Sequence, residues 1–316
     1  MPMKRSPQDI LTLQKRGIVS MYPSPTNRRP ASQVTLYTPS RIGLNQYTGT
    51  GTRTGTSSAT ILKYNADQGA SFDWSGQTFT KDASLPNYSY VATITSMSGT
   101  VPSPGNLIAV SGGSSVTSIG NFTFYGDAAL TTITMPSVTS IGTFALADSS
   151  LASVTMPLAT SIGRGAFYRC ITLTTVSMPL ATIVGNAAFE RCTSLASVTM
   201  PLVTYIDTSA FHNCSALTTI SMPSVTYIAV GVFEQCTSLT SVTMPSVTRI
   251  ETSAFYNCTS LTSVTIPASV EFIDTGAFNG SALRTVIIPY PNGLGKLSPA
   301  TGVDFYGRTV ATVLPN

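Results

Sequence analysis

Five cysteines, Cys170, Cys192, Cys214, Cys236 and Cys258, recur every 22 residues and are the side chains most able to do chemistry. Thiols at fixed spacing could pair, ligate a metal or act as nucleophiles. Equivalent positions of a repeat have parallel Cβ vectors, and the count is odd, so systematic disulfides are disfavoured. A metal centre needs further ligands, and the chain has a single histidine, His212, two residues before Cys214. The five therefore read as small buried thiols. The sequence contains no phosphate-binding loop, G-x-S-x-G elbow, HExxH or CxxC pattern. The acids Asp207, Glu234, Glu251 and Asp274 sit singly in successive repeat copies. No catalytic residue, cofactor or metal is expected, and the chain reads as non-enzymatic.

The elements that carry these residues follow from the repeat. Leading leucines fall at Leu130, Leu151, Leu173, Leu195, Leu217, Leu239, Leu261 and Leu283, spaced 21 once and 22 thereafter. Each copy opens L-x-x-(V/I)-x-(M/I)-P, so pairs such as Val242 and Met244 share one face of a strand. A proline such as Pro245 lacks an N–H and closes it. Two apolar positions follow, then Ala-Phe, as in Ala254-Phe255, then the cysteine. Phe167, Phe189, Phe211, Phe233, Phe255 and Phe278 hold the aromatic position, with Leu146 replacing it in the first copy. One copy cannot bury this many apolar groups, but stacked copies turn each position into an internal ladder. The expected fold is a leucine-rich-repeat solenoid of 22-residue units with short parallel strands, beginning near residue 107.

The string LTSVTMPSVTRIETSAFYNCTSLTSVTIP resembles the Treponema-type, or BspA-like, leucine-rich repeat. The resemblance covers residues 107 to 289. It implies a surface adhesin or host-interaction protein and implies binding, not catalysis.

Between the inward positions of each strand lie outward Thr and Ser. Thr155, Thr175, Thr199, Thr219, Thr243 and Thr265 belong to this array, which could bind glycan or protein through methyl and hydroxyl groups. Threonine is also a good strand residue that keeps an exposed sheet soluble without charge. Tyr205, Tyr227 and Arg249 precede the inward isoleucine in three successive copies, forming an exposed stripe of residue types enriched at binding hot spots.

Charged residues are only 9% of the chain, and the net charge of +4 is uneven. Residues 1–41 hold Lys4, Arg5, Lys15, Arg16, Arg28, Arg29 and Arg41 against one acid, Asp9. Ser6-Pro7-Gln8-Asp9, then Ile10, Leu11 and Leu13, then Lys15-Arg16 and Gly17, has the punctuation of a short helix. This arm, with Ile10, Leu11, Leu13, Lys15, Arg16, Arg28 and Arg29, reads as an anchor. Its charges are scattered pairs without aromatic interleaving, so nucleic acid is not an expected partner.

Strand-like runs at 33–38, 59–66 and 88–97 suggest a small β region, with a Thr-rich linker at 49–60. The expected division is an arm at 1–41, linker and β region at 42–106, solenoid at 107–290 and a C-terminal cap at 291–316. No apolar run reaches the roughly 18 residues of a membrane span, and no secretory signal is evident. Adhesin-like composition without an export signal suggests a virion structural protein, most simply of a bacteriophage, used in capsid decoration or as a fibre. Its arm would bind other virion proteins, its solenoid a host surface glycan or protein, and a homo-oligomer is expected. The alternative is a cellular surface adhesin or protein-interaction module of the BspA-like class, located at the cell surface or outside the cell.

Overall fold

A computed structural model describes residues 58–288 and the strand Thr312–Pro315. The anchoring residues Ile10, Leu11, Leu13, Lys15, Arg16, Arg28 and Arg29, the helix read from Ser6 to Gly17 and the run at 33–38 lie outside the described residues.

Each repeat is one coil of a solenoid. Its L-x-x-V-x-M segment forms a three-residue strand at Thr132–Thr134, Ser153–Thr155, Thr175–Ser177, Ser197–Thr199, Thr219–Ser221, Ser241–Thr243 and Ser263–Thr265. Within each sheet, neighbouring strands of the coils run parallel and in register, so Ser153, Val154 and Thr155 face Thr175, Val176 and Ser177. The alternation sends Val154, Val176 and the methionines inward and leaves Thr and Ser outside. The following proline ends each strand. A second row of two-residue strands then places an isoleucine or valine inward, as at Ser161–Ile162, Ile183–Val184 and Tyr205–Ile206.

The Ala-Phe segment supplies a third ladder. The backbone N–H groups of Phe167 and Phe189 donate to the carbonyls of Ala188 and Ala210 at 2.8 Å, one coil onward. Inside it the rings from Phe167 to Phe278 form a continuous stack, with centroids 5.1–5.6 Å apart. All six are fully buried. The glycines Gly142 and Gly163 let the coils approach closely, because a Cβ on Gly163 would lie 2.7 Å from the backbone of Ile141 and Gly142.

The β region closes the first end of this stack. Strands β1 (Thr60–Tyr64), β2 (Ser71–Trp74), β3 (Gln77–Lys81) and β4 (Tyr88–Ala92) are antiparallel, in the spatial order β2-β3-β4-β1. Two runs read from sequence thus become β1 and β4, whereas the β2–β3 hairpin is new. Its turn, Ser75-Gly76, has positive φ at both residues (54° and 77°), the geometry that suits a twisted hairpin. The second row starts earlier than residue 107, because β5 (Ser96–Met97) pairs in parallel with Ser118–Ile119. This partial coil lacks the proline and Ala-Phe marks of the repeat. β6 (Leu107–Ser111) then joins the two parts, pairing antiparallel with β1 and parallel with Thr132–Thr134.

Tyr64, Trp74, Phe79 and Tyr90 are buried under the cap, and Trp74 reaches Phe124, in the first full coil, at 5.9 Å. The sheet edge that would otherwise stay open is thereby covered. At the other end Thr312–Pro315 adds a parallel strand to Thr285–Ile288.

Candidate interaction surface of the solenoid

The five thiols are free and buried. Each donates to a carbonyl one coil back: Cys192 to Phe167, Cys214 to Phe189 and Cys258 to Phe233, all at 3.1 Å. Burial pushes Cys170 up to about 11 and Cys258 up to about 12, and raises the three between them well above the ordinary thiol value. A protonated thiol that donates inward is a structural group, so the ladder is core. His212 lies with Nδ1 3.5 Å from Glu190 rather than at a cysteine. Among the described residues no three His, Cys, Asp or Glu side chains gather as a metal site would require.

Two kinds of threonine emerge on the surface. Thr160, Thr182 and Thr204 each donate to the carbonyl of the equivalent residue one coil earlier, at 3.1–3.3 Å, and so lace the coils together. Thr155, Thr175, Thr199, Thr219, Thr243 and Thr265 are exposed, and no such bond ties their hydroxyls to a neighbouring coil. They alternate with serine across the strands, Thr155 facing Ser177, which in turn faces Thr199. Between Ser241–Thr243 and Ser263–Thr265 the strands separate, opening a groove of about 450 Å³ lined by Val242, Thr243, Met244, Thr265 and neighbouring residues.

The second row carries the larger groups. Tyr205, Tyr227 and Arg249 occupy equivalent positions, as the sequence indicates, and Ile183 and Phe272 extend the stripe to five coils. Ile183, Tyr205, Tyr227 and Phe272 are 37–48% exposed, unusual for side chains of their size. Phe272 had the same sequence offset, directly before Ile273, but an extra residue after Pro267 blurs its alignment. The stripe is cross-linked. The Arg249 guanidinium lies 4.0 Å from the Phe272 ring centroid, and its Nε is ion-paired with Glu251. Desolvation, then the charge and hydrogen bond of Glu251, raise the Tyr227 hydroxyl; Asp207 does the same for Tyr205, by charge first. These contacts hold the side chains in place before any partner arrives.

A stack of short parallel strands with ordered outward rows is the architecture of a leucine-rich-repeat solenoid. The chain belongs to the BspA type leucine rich repeat region family, whose profile matches in 6 copies over residues 102–201 and 182–294. Among solved structures, the chain is similar to a leucine rich cell surface protein from Faecalibacterium prausnitzii. The two share 30% identity at a TM-score of 0.45, covering 70% of this chain and 55% of the other. It is also similar to a Treponema pallidum leucine rich repeat protein, with 23% identity and a TM-score of 0.29, covering 60% of this chain and 66% of the other. The chain thus spans about half the length of the Faecalibacterium protein. No curated protein matches it. No helix among the described residues is long and apolar enough to cross a membrane.

Proposed function

We propose that this chain is a non-enzymatic, cell-surface adhesion or protein-interaction module that engages a protein partner through the second-row stripe. The observation that carries this reading is the five-coil run of Ile183, Tyr205, Tyr227, Arg249 and Phe272, exposed and held by its own ion pair and cation–π contact. Aromatic and arginine side chains anchored in this way lose little freedom on binding, which is why they dominate interface energetics. The exposed Thr155, Thr175, Thr199, Thr219, Thr243 and Thr265 would serve as a neutral, hydrogen-bonding flank.

The virion reading rests on an anchoring role for residues 1–41, which lie outside the described residues, and no observation favours it over the cell surface. The test is a surface plasmon resonance screen of the full chain against purified extracellular proteins, repeated with Tyr205→Ala, Tyr227→Ala and Arg249→Ala. A protein partner should be found, and at least one change should weaken it by about 2 kcal/mol or more while leaving the melting temperature intact. Binding that is indifferent to all three changes would remove the stripe from the account.

A further inference from the structure

On a different arc of the solenoid, two residues before the Ala-Phe ring position, the backbone of seven successive coils adopts the left-handed region. Gly165, Ala187, Ser209, Gly231 and Ser253 hold that position in the later coils, with φ between 55° and 62°. In the first two coils it is held by Phe122 and Phe144, at φ 56° and 49°. A bulky side chain is strained there, and strain retained twice at an equivalent surface position points to a use other than folding. Phe122 is 46% exposed and Phe144 half-buried, and neither belongs to the buried core.

The two rings stack at 5.7 Å with an 18° tilt. Tyr125, 47% exposed, stands edge-on to both, and Tyr168 stands edge-on to Phe144 at 6.0 Å. Gly165 makes room for the arrangement, because a Cβ there would meet the Phe144 ring at 2.3 Å. Asn121 accepts from the Thr143 N–H through its Oδ1 at 2.8 Å, which leaves its amide NH2 for a ligand. Arg169 and Asp148 pair with each other nearby at 3.4 Å, and Arg164, whose carbonyl accepts from the Phe144 N–H at 2.8 Å, is an exposed cation.

We propose that the exposed rings of Phe122 and Tyr125, braced by Phe144 and Tyr168, form a carbohydrate-binding platform that stacks against the apolar face of a pyranose ring. Aromatic faces are electron-rich and attract polarised C–H bonds of the kind a sugar face presents. The phenol hydroxyls, the Asn121 amide and Arg164 ring the platform with partners for sugar hydroxyls. A quaternary ammonium is a poor match, because Phe122 and Phe144 touch each other and leave no box for a rounded cation to enter. A folded protein is also a poor match. The platform spans about three coils, roughly 15 Å, whereas a stable protein interface covers about 800 Å² per partner.

The site shares no residue with the second-row stripe, so either can fail alone. The test compares the full chain with a Phe122→Ser/Phe144→Ser double variant, and with Tyr125→Ala, on an array of defined neutral, sialylated and sulfated oligosaccharides, alongside thermal melting. The wild type should retain neutral or sialylated sugars. Both variants should weaken them at least tenfold, the double variant without a fall in melting temperature, and Tyr205→Ala should bind as the wild type does. Failure of the wild type to retain any sugar would overturn the proposal. So would equal binding by Tyr125→Ala, or binding confined to sulfated polyanions and abolished by salt.

Discussion

At the scale of single residues, the stacked rings and the thiols beneath them account for most of the distinctive packing. Phe211 has a ring on either side, at 5.2 and 5.6 Å, so Phe211→Ala opens a cavity in a core with no side chain free to fill it. A loss of about 3–5 kcal/mol in urea unfolding is expected; an unchanged midpoint would mean the ring does not face inward. The buried thiols and one buried carboxyl set the response to pH. Thiols raised from 9.0 to about 11 at Cys170 and about 12 at Cys258 leave stability unchanged below about pH 9. Above that the unfolded chain ionises first, and stability falls.

Asp127 stands where later coils carry cysteine and is buried, with its Oδ2 unpartnered. Desolvation raises it from 3.8 to about 6. Its contribution is therefore present in full below about pH 4 and lost as the pH climbs through about 6. Relative to Asp127→Asn, the wild type should gain melting temperature on acidification from pH 7 to pH 5, a difference that calorimetry on the two proteins measures.

At the scale of elements, the close approach of coils sets the tolerance for change. Gly163→Ala places a methyl group 2.7 Å from the preceding coil's backbone, and overpacking of this kind costs about 1–3 kcal/mol. Gly276→Ala, with its nearest neighbour at 3.5 Å, is the control and should be close to neutral. Chemical denaturation of both variants separates the two cases.

The coils were legible in the sequence because each inward position repeats, so Leu195, Val198, Met200 and Phe211 identify one another. The cap was legible only in part: β1 and β4 show alternation, but the β2–β3 hairpin rests on the short Ser75-Gly76 turn, which no repetition reinforces. Residues 94–106 continue the second row without the strand-closing proline or the Ala-Phe pair to mark them; Pro102 and Pro104 fall after it. Phe122 and Phe144 escape notice for the opposite reason, since the repeat assigns their position to small residues and they break its pattern. Even the asparagines of two N-x-(S/T) sequons, Asn213 and Asn257, have a backbone explanation, with φ near 55–57° in a left-handed column that asparagine tolerates.

At the scale of the whole molecule, the residues that fold the solenoid are separate from those proposed to recognise a partner. Core ladders, lacing threonines and the cap hold the stack, while the Tyr205–Arg249 stripe and the Phe122–Phe144 platform lie on outward arcs and contribute little to it. The second-row ladder divides between Tyr205–Ile206 and Tyr227–Ile228, and the first row divides between the same two coils. The Ala-Phe ladder and the ring stack continue across that joint, through Phe189, Phe211 and Phe233. The exposed stripe crosses it too. The central claim is that the chain acts as an exposed interaction module at a cell surface. The most direct test is protease shaving of intact cells of the native source, with mass spectrometry of the released peptides and density-gradient fractionation of particles from the same culture. Peptides from residues 107–290 should be released without lysis and should not sediment with particles. Recovery only from the cytosol, or with particles of virion density, would contradict the account.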